Sequence, residues 1–346
     1  MTESLVERFP KLSAADLVDR FVPPRRFSGV RFASYVPSPE HPSQFHALEE
    51  MKRFTASITA AGDRSSVKKA WFRRGTGDEA TNSTAPARYL DGGFGVGKTH
   101  LLASLWHEAP KPSAYLTFAE LTAIIGFLGM DNAVAAFAGY KALCIDEFEL
   151  DDVANTLMAV TFLRAIIPGT KVVATSNSLP DRLGEGRFAA DDFKREIAAI
   201  AAHFDVIRVD GPDYRAKEHI PADPLDPATA ERLAASITGT VARNGFDEVL
   251  RHLRQVHPVQ VGALVDGIDT VVLDGLRPID NQGDALLFVH FIDEVYDAEV
   301  DLIATGCPIA ALFSPTFRNG GYRKKYGRCE SRLGSLLGAS AAATRS

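Results

Sequence analysis

An octapeptide of the form G-x-x-x-x-G-K-[ST], Gly92-Gly93-Phe94-Gly95-Val96-Gly97-Lys98-Thr99, restricts this chain more than any other stretch. Glycines at these positions let backbone N–H groups converge on an anion with no Cβ in the way, and a helix starting just beyond adds the positive end of its dipole. The loop needs a strand before it and a helix after it. Arg88-Tyr89-Leu90 reads as the strand, and Thr99 to His107 as an apolar-periodic helix. The pattern therefore predicts a nucleoside triphosphate site for ATP, in which Lys98 reaches the β- and γ-phosphates and Thr99 ligates Mg²⁺.

From residue 87 the sequence alternates strand and helix signals. Strands are expected at 87–90, 113–118, 141–146, 170–176 and 205–210, with helices at 98–108, about 119–138, 152–167 and 189–202. That alternation means a parallel sheet with helices on both faces. The expected class is α/β, a P-loop NTPase with an AAA+-like three-layer sandwich and a smaller mixed C-terminal subdomain. Residues 1–86 read as a lead-in: five prolines between 21 and 45 favour extended chain, a helix follows from Gln44 to about Ala61, and a polar loop ends the segment. The ATPase core is expected over 87–217. After the proline-rich break at 221–229, the subdomain over 218–346 carries helices at 227–238 and 245–256. Two β runs are expected there, Val259 to Val265 and Thr270 to Leu276.

Two further strand ends carry chemistry. Ala142-Leu143-Cys144-Ile145-Asp146-Glu147 is an apolar strand closing in two carboxylates, 47 residues beyond Thr99. Asp146 is placed to hold the Mg²⁺ shell, and Glu147 to polarise the water that attacks the γ-phosphate. Lys171-Val172-Val173-Ala174-Thr175-Ser176-Asn177 ends in an amide, and Asn177 there takes the sensor-one position of AAA+ ATPases, against the γ-phosphate. Arg187 is the first choice for an arginine finger acting on a neighbouring subunit, with Arg195 and Arg215 as rivals. The histidines, including His100, His203, His252, His257 and His290, lack metal-ligand spacing.

The formal charge of −6, from 38 basic and 44 acidic residues, supplies no global positive field for nucleic acid. Cys144, Cys307 and Cys329 are too far apart for a C-x-x-C pair and suit a reducing compartment. No run of 18 apolar residues appears, so no membrane span is expected. The acidic, helically periodic start differs from a signal peptide, and the expected location is cytoplasmic.

These residues together resemble the ZapE cell-division ATPases of bacteria and their mitochondrial relatives. The likeness runs through Pro23-Pro24-Arg25-Arg26-Phe27, Pro42-Ser43-Gln44, GGFGVGKTHLL and CIDEFEL. It continues through TSNSLPDRLGEGRF, GPDYR and Phe291-Ile292-Asp293-Glu294-Val295-Tyr296-Asp297. LGEGRF and FRRG are similar to actinobacterial members. The resemblance implies an AAA+-like ATPase assembling as a homo-oligomer and acting on a protein partner, an FtsZ-like division protein in bacteria or protein quality control in mitochondria. Where the family has arginine ahead of the D-x-x-Y-D segment, this chain has Leu286-Leu287, so a sensor-two arginine is not supplied there. A rival reading, from the similarity of G-V-G-K-T-H-L to helicase loaders, is a DNA-associated AAA+ ATPase. A scaffold that binds nucleotide without turning it over is the third.

Overall fold

Apolar runs that end in a polar residue build one sheet of this protein, and strands with a polar residue followed by glycine build a second. The computed structural model describes residues 2–11, 20–63, 87–93, 95–148, 153–177, 198–199, 201–212 and 222–343. The chain divides into two compact units. One comprises Val18–Pro23 and Phe27–Tyr214, the other Met1–Leu17, Pro24–Arg26 and Arg215–Ser346. This differs from the three-part division at 86 and 217, because the lead-in is shared between the two units.

In the first unit, β2 (Ala87–Asp91), β3 (Ser113–Thr117), β4 (Ala142–Asp146), β5 (Lys171–Ser176) and β6 (Phe204–Arg208) form a sheet in the order β3-β4-β5-β2-β6. Every pair is parallel. Strands buried on both faces need unbroken apolar runs, and Ala142, Leu143, Cys144 and Ile145 have no solvent exposure. The helices Pro42–Asp63 and Lys98–Glu108 cover one face through Met51, Phe54, Leu101 and Leu105. On the other, Tyr89 and Phe118 both meet Phe148 edge-on, and Phe137 meets Phe162. The layers are those of the expected three-layer sandwich.

The single helix expected over 119–138 is two, Phe118–Leu128 and Met130–Phe137. Gly129, at φ +79°, breaks it. Thr117 and Glu120 cap the first helix reciprocally, with Glu120 N donating to Thr117 Oγ1 at 3.2 Å and Thr117 N to Glu120 Oε2 at 2.6 Å.

The second unit holds another all-parallel sheet, in the order β1-β7-β8-β9. Its strands are β1 (Thr2–Glu3), β7 (Val241–Gly245), β8 (Thr270–Leu276) and β9 (Asp301–Gly306). Helix Pro227–Ser236 packs Ala230 and Leu233 against Val272 and Ile303. Helices Phe246–Leu253, Gln282–Asp297 and Arg323–Ala343 pack on the alternate residues Val271, Leu273, Leu302 and Ala304. β1 pairs with β7, Thr2 beside Val241 and Glu3 beside Ala242, and just beyond it Leu5 is buried and donates its N–H to Asn244 Oδ1 at 2.8 Å.

The strand expected over Val259 to Val265 is absent. Two 3-10 turns, Pro258–Gln260 and Gly262–Val265, occupy the segment. Its V-x-V alternation suggests a strand, but the residues that bury are Val261, Leu264, Val265 and Ile268, at helical spacing.

The D-x-x-Y-D segment lies on the Gln282–Asp297 helix, where spacings of three and four put Asp293, Tyr296 and Asp297 on one face. Asp293 accepts from Arg328 at 2.7 Å and Arg332 at 2.6 Å, and Asp297 pairs with Arg26 at 2.9 Å. The guanidiniums of Arg26 and Arg332 lie 4.5 and 5.1 Å from the centre of the Tyr296 ring. Burial alone would push the Asp293 carboxyl up, but Arg328 and Arg332 hold it below the usual range. This segment, with Arg26 of the proline-arginine motif, is an internal ion cluster. Leu286 and Leu287 pack against the same core.

Candidate functional site: a phosphate loop and a braced carboxylate

The loop after β2 turns into the Lys98–Glu108 helix through left-handed glycines, with φ +64° at Gly95 and +93° at Gly97. A Cβ on Gly97 would lie 2.6 Å from Tyr35 Cε2, and one on Gly92 would collide with the carbonyl oxygen of Val209. Both positions exclude any larger residue. Lys98 is buried, and its Nζ donates to Gly92 O at 2.8 Å, Gly93 O at 2.5 Å and Asn177 Oδ1 at 2.9 Å. The sheet order explains the last contact, since β5 lies directly beside β2. Asn177 thus reaches the loop lysine itself.

Asp146 ends β4, one strand further out. Its Oδ1 accepts from the Thr175 hydroxyl, from Glu147 N at 3.1 Å and from Thr99 Oγ1 at 3.4 Å, while its Oδ2 accepts from the Tyr115 hydroxyl at 2.7 Å. The Thr99 hydroxyl and the Asp146 carboxylate therefore converge as hard oxygen donors. That set fits Mg²⁺, which takes one or two protein oxygens and completes its shell with water and phosphate. Glu147 has φ +53°, uncommon for a residue with a Cβ, and its N–H also donates to Thr175 Oγ1 at 3.1 Å. The next N–H, of Phe148, donates to Thr175 O at 2.7 Å, so β5 fixes the chain on both sides of Glu147.

The lead-in braces the loop from outside. Tyr35 donates its hydroxyl to Val96 O at 3.3 Å, and Ser34 Oγ lies 3.0 Å from His100 Nε2. Phe32 N donates to Glu108 Oε1 at 3.0 Å, and His107 Nε2 lies 2.8 Å from Phe27 O. Burial lowers the pKa of His100, a tendency that its contact with Arg31 O opposes. Asp91, just before the loop, is shifted upward by burial, against the pull of Arg208 and Lys98.

The structure thus brings together Gly92, Gly93, Gly95, Val96, Gly97, Lys98, Thr99, Asp146 and Asn177, with Glu147 bonded to the same Asp146 and Thr175. Phe94, Arg187, Arg195 and Arg215 lie outside the described residues. Tyr35, Tyr115 and the Thr175 hydroxyl are additions that the sequence reading lacks. Thr175 stands two residues before Asn177 on an alternating strand. Tyr115 has no local signal, because its partner is 31 residues away on the neighbouring strand.

No group of three or more metal-binding side chains occurs among the described residues, and no helix there is long and apolar enough to cross a membrane. Comparison with known proteins gives one family. The AFG1-like ATPase profile matches residues 14–244 and 228–343. The cell division protein ZapE of Escherichia coli (strain K12) is 25% identical over 311 residues, 77% of this chain and 81% of that protein. Among solved structures, DnaI is similar over 57% of this chain and 98% of its own, at 18% identity and a TM-score of 0.40. AMPPCP-bound DnaA from Aquifex aeolicus is similar over 92% and 93%, at 11% identity and a TM-score of 0.37.

Proposed function

This chain belongs to the AFG1-like ATPase family, and on that premise we propose that it hydrolyses ATP with Mg²⁺ to act on a protein partner in cell division. The observation that carries the proposal is the convergence of Lys98, Asn177, Thr99 and Asp146 from two adjacent strand ends and one helix start. In this reading the loop backbone and Lys98 hold the phosphates. Nucleotide entry transfers the Lys98 ammonium from the carbonyls of Gly92 and Gly93 to phosphate oxygens, and Asn177 follows its change of partner. Thr99 and Asp146 hold Mg²⁺, which when bound neutralises phosphate charge. Glu147 accepts the proton of the attacking water.

The relative in Escherichia coli is named a cell division protein, which supports division as the setting here. An FtsZ-like protein as partner, a homo-oligomeric assembly and a finger arginine, Arg187, supplied by a neighbouring subunit complete the proposal. Phosphate release by Glu147→Gln tests its chemistry. Turnover falls about 100-fold or more while binding of ATP persists. Undiminished turnover in that variant would remove Glu147 from the mechanism, and loss of both binding and turnover would assign it a structural task.

A further inference from the structure

The Asp146 carboxylate is held from both sides. Tyr115 sits on β3 in register with Cys144, and the 142, 144 and 146 side chains share the sheet face covered by the phosphate-loop helix. From that position the buried Tyr115 ring runs under the end of β4, and its hydroxyl reaches Asp146 Oδ2 at 2.7 Å. Thr175, on the strand at the other side, donates to Oδ1. A phenol at this distance from a carboxylate forms a charge-assisted bond, about twice as strong as a neutral one.

We propose that Tyr115 is a positioning residue for the metal–nucleotide, and that it sets which divalent cation the site accepts. The proposal rests on the ATPase reading above. Thr175, Glu147 N and Thr99 donate to Oδ1 and Tyr115 to Oδ2, so the carboxylate plane is fixed and lone pairs on both oxygens are occupied. Bidentate chelation, the mode that suits a large and flexible shell such as that of Ca²⁺, is thereby disfavoured. The oxygen acceptor sites left over, beside the Thr99 hydroxyl, suit a small octahedral ion that keeps most of its water. Without the hydroxyl, Oδ2 gains a free lone pair and can turn toward the metal, because the remaining donors all hold Oδ1. Tyr115 touches neither phosphate nor water in this role, and it acts through Asp146.

The test is Tyr115→Phe, which keeps the ring and removes the oxygen. Binding of a fluorescent ATP analogue to the full-length chain is followed during titration with Mg²⁺, Mn²⁺ and Ca²⁺, and phosphate release is recorded in parallel. The Mg²⁺ concentration for half-maximal nucleotide binding rises about 10-fold or more, and the preference for Mg²⁺ over Ca²⁺ narrows by a similar factor. Repeating the substitution in an Asp146→Asn background separates positioning from packing. A residue acting through the carboxylate adds less than about a twofold shift there, whereas a packing residue adds its full effect. An unchanged Mg²⁺ midpoint in Tyr115→Phe, or full additivity in the double variant, overturns the inference. A wild-type chain without metal-linked nucleotide binding overturns the ATPase reading as well, so the two failures are distinct.

Discussion

The two units carry sheets of the same kind, both parallel and both ending in polar residues, yet among the described residues only the first gathers its strand ends around a glycine loop. In the first, Asn177 meets the lysine of a glycine loop, and Asp146 and Thr175 meet each other beside it. In the second, three adjacent strands carry Asn244-Gly245, Asp274-Gly275 and Thr305-Gly306 at or near their carboxyl ends, and Asn244, Asp274 and Thr305 are all bonded internally. Asn244 holds Ser4 and Leu5, Asp274 holds Arg243 at 2.7 Å, and Thr305 accepts from Gly275 N at 3.0 Å. Parallel strands direct ligands to their carboxyl ends only where the following loop leaves backbone donors unspent. β7 instead runs directly into the Phe246–Leu253 helix, and Glu248 takes the N–H of Gly245 at 3.0 Å.

Substitutions in each unit can break this contrast. Lys98→Ala has the largest effect, weakening ATP binding about 1,000-fold while leaving the other sheet intact, as nucleotide titration and far-UV circular dichroism would show. Arg332→Met acts in the opposite direction. It removes one of the two guanidiniums on Asp293 and the second partner of Asp297, and destabilises the second unit by about 1–3 kcal/mol in urea, with the core reported separately by fluorescence. Trp106 falls in the first unit. Gly97→Ala follows, at about 1–2 kcal/mol, because the left-handed backbone and Tyr35 both resist a Cβ. A matching loss of nucleotide affinity would tie the brace to the loop.

The smallest effect is a pH dependence. His100 has a folded pKa lowered by burial, so its contribution is present above the unfolded value near 6.5 and is lost as pH falls through the lower folded value. Acidification from about pH 7 toward 5 therefore destabilises the first unit slightly, because a half-buried imidazole must take up charge, and His100→Gln flattens that slope. Equal slopes in the two proteins would remove the histidine from the brace.

What the sequence shows depends on how local each cause is. The phosphate loop and its flanking strand and helix are read almost residue for residue, because glycine spacing and apolar period act over a few positions. The continuous 119–138 helix fails at Gly129, where one left-handed residue outweighs a long apolar pattern. Val259 to Val265 fails because alternation and helical period overlap in so short a run. Tyr115 under Asp146 and the pairing of Thr2–Glu3 with β7, secured by Leu5 on Asn244, have no local cause at all. A two-residue strand has no period to detect, and its partner is fixed by packing at the far end of the sequence.

That last pairing has a consequence for synthesis. Leu5 leaves the ribosome 239 residues ahead of Asn244, the side chain that receives its N–H. At about 5–20 residues per second it spends on the order of 10 to 50 s without its sheet. The nucleotide-binding sheet, whose strands lie between residues 87 and 208, is complete in the emerging chain before any strand of the second sheet other than β1 has been made. The segment made first therefore waits for a strand made after the whole of the other sheet.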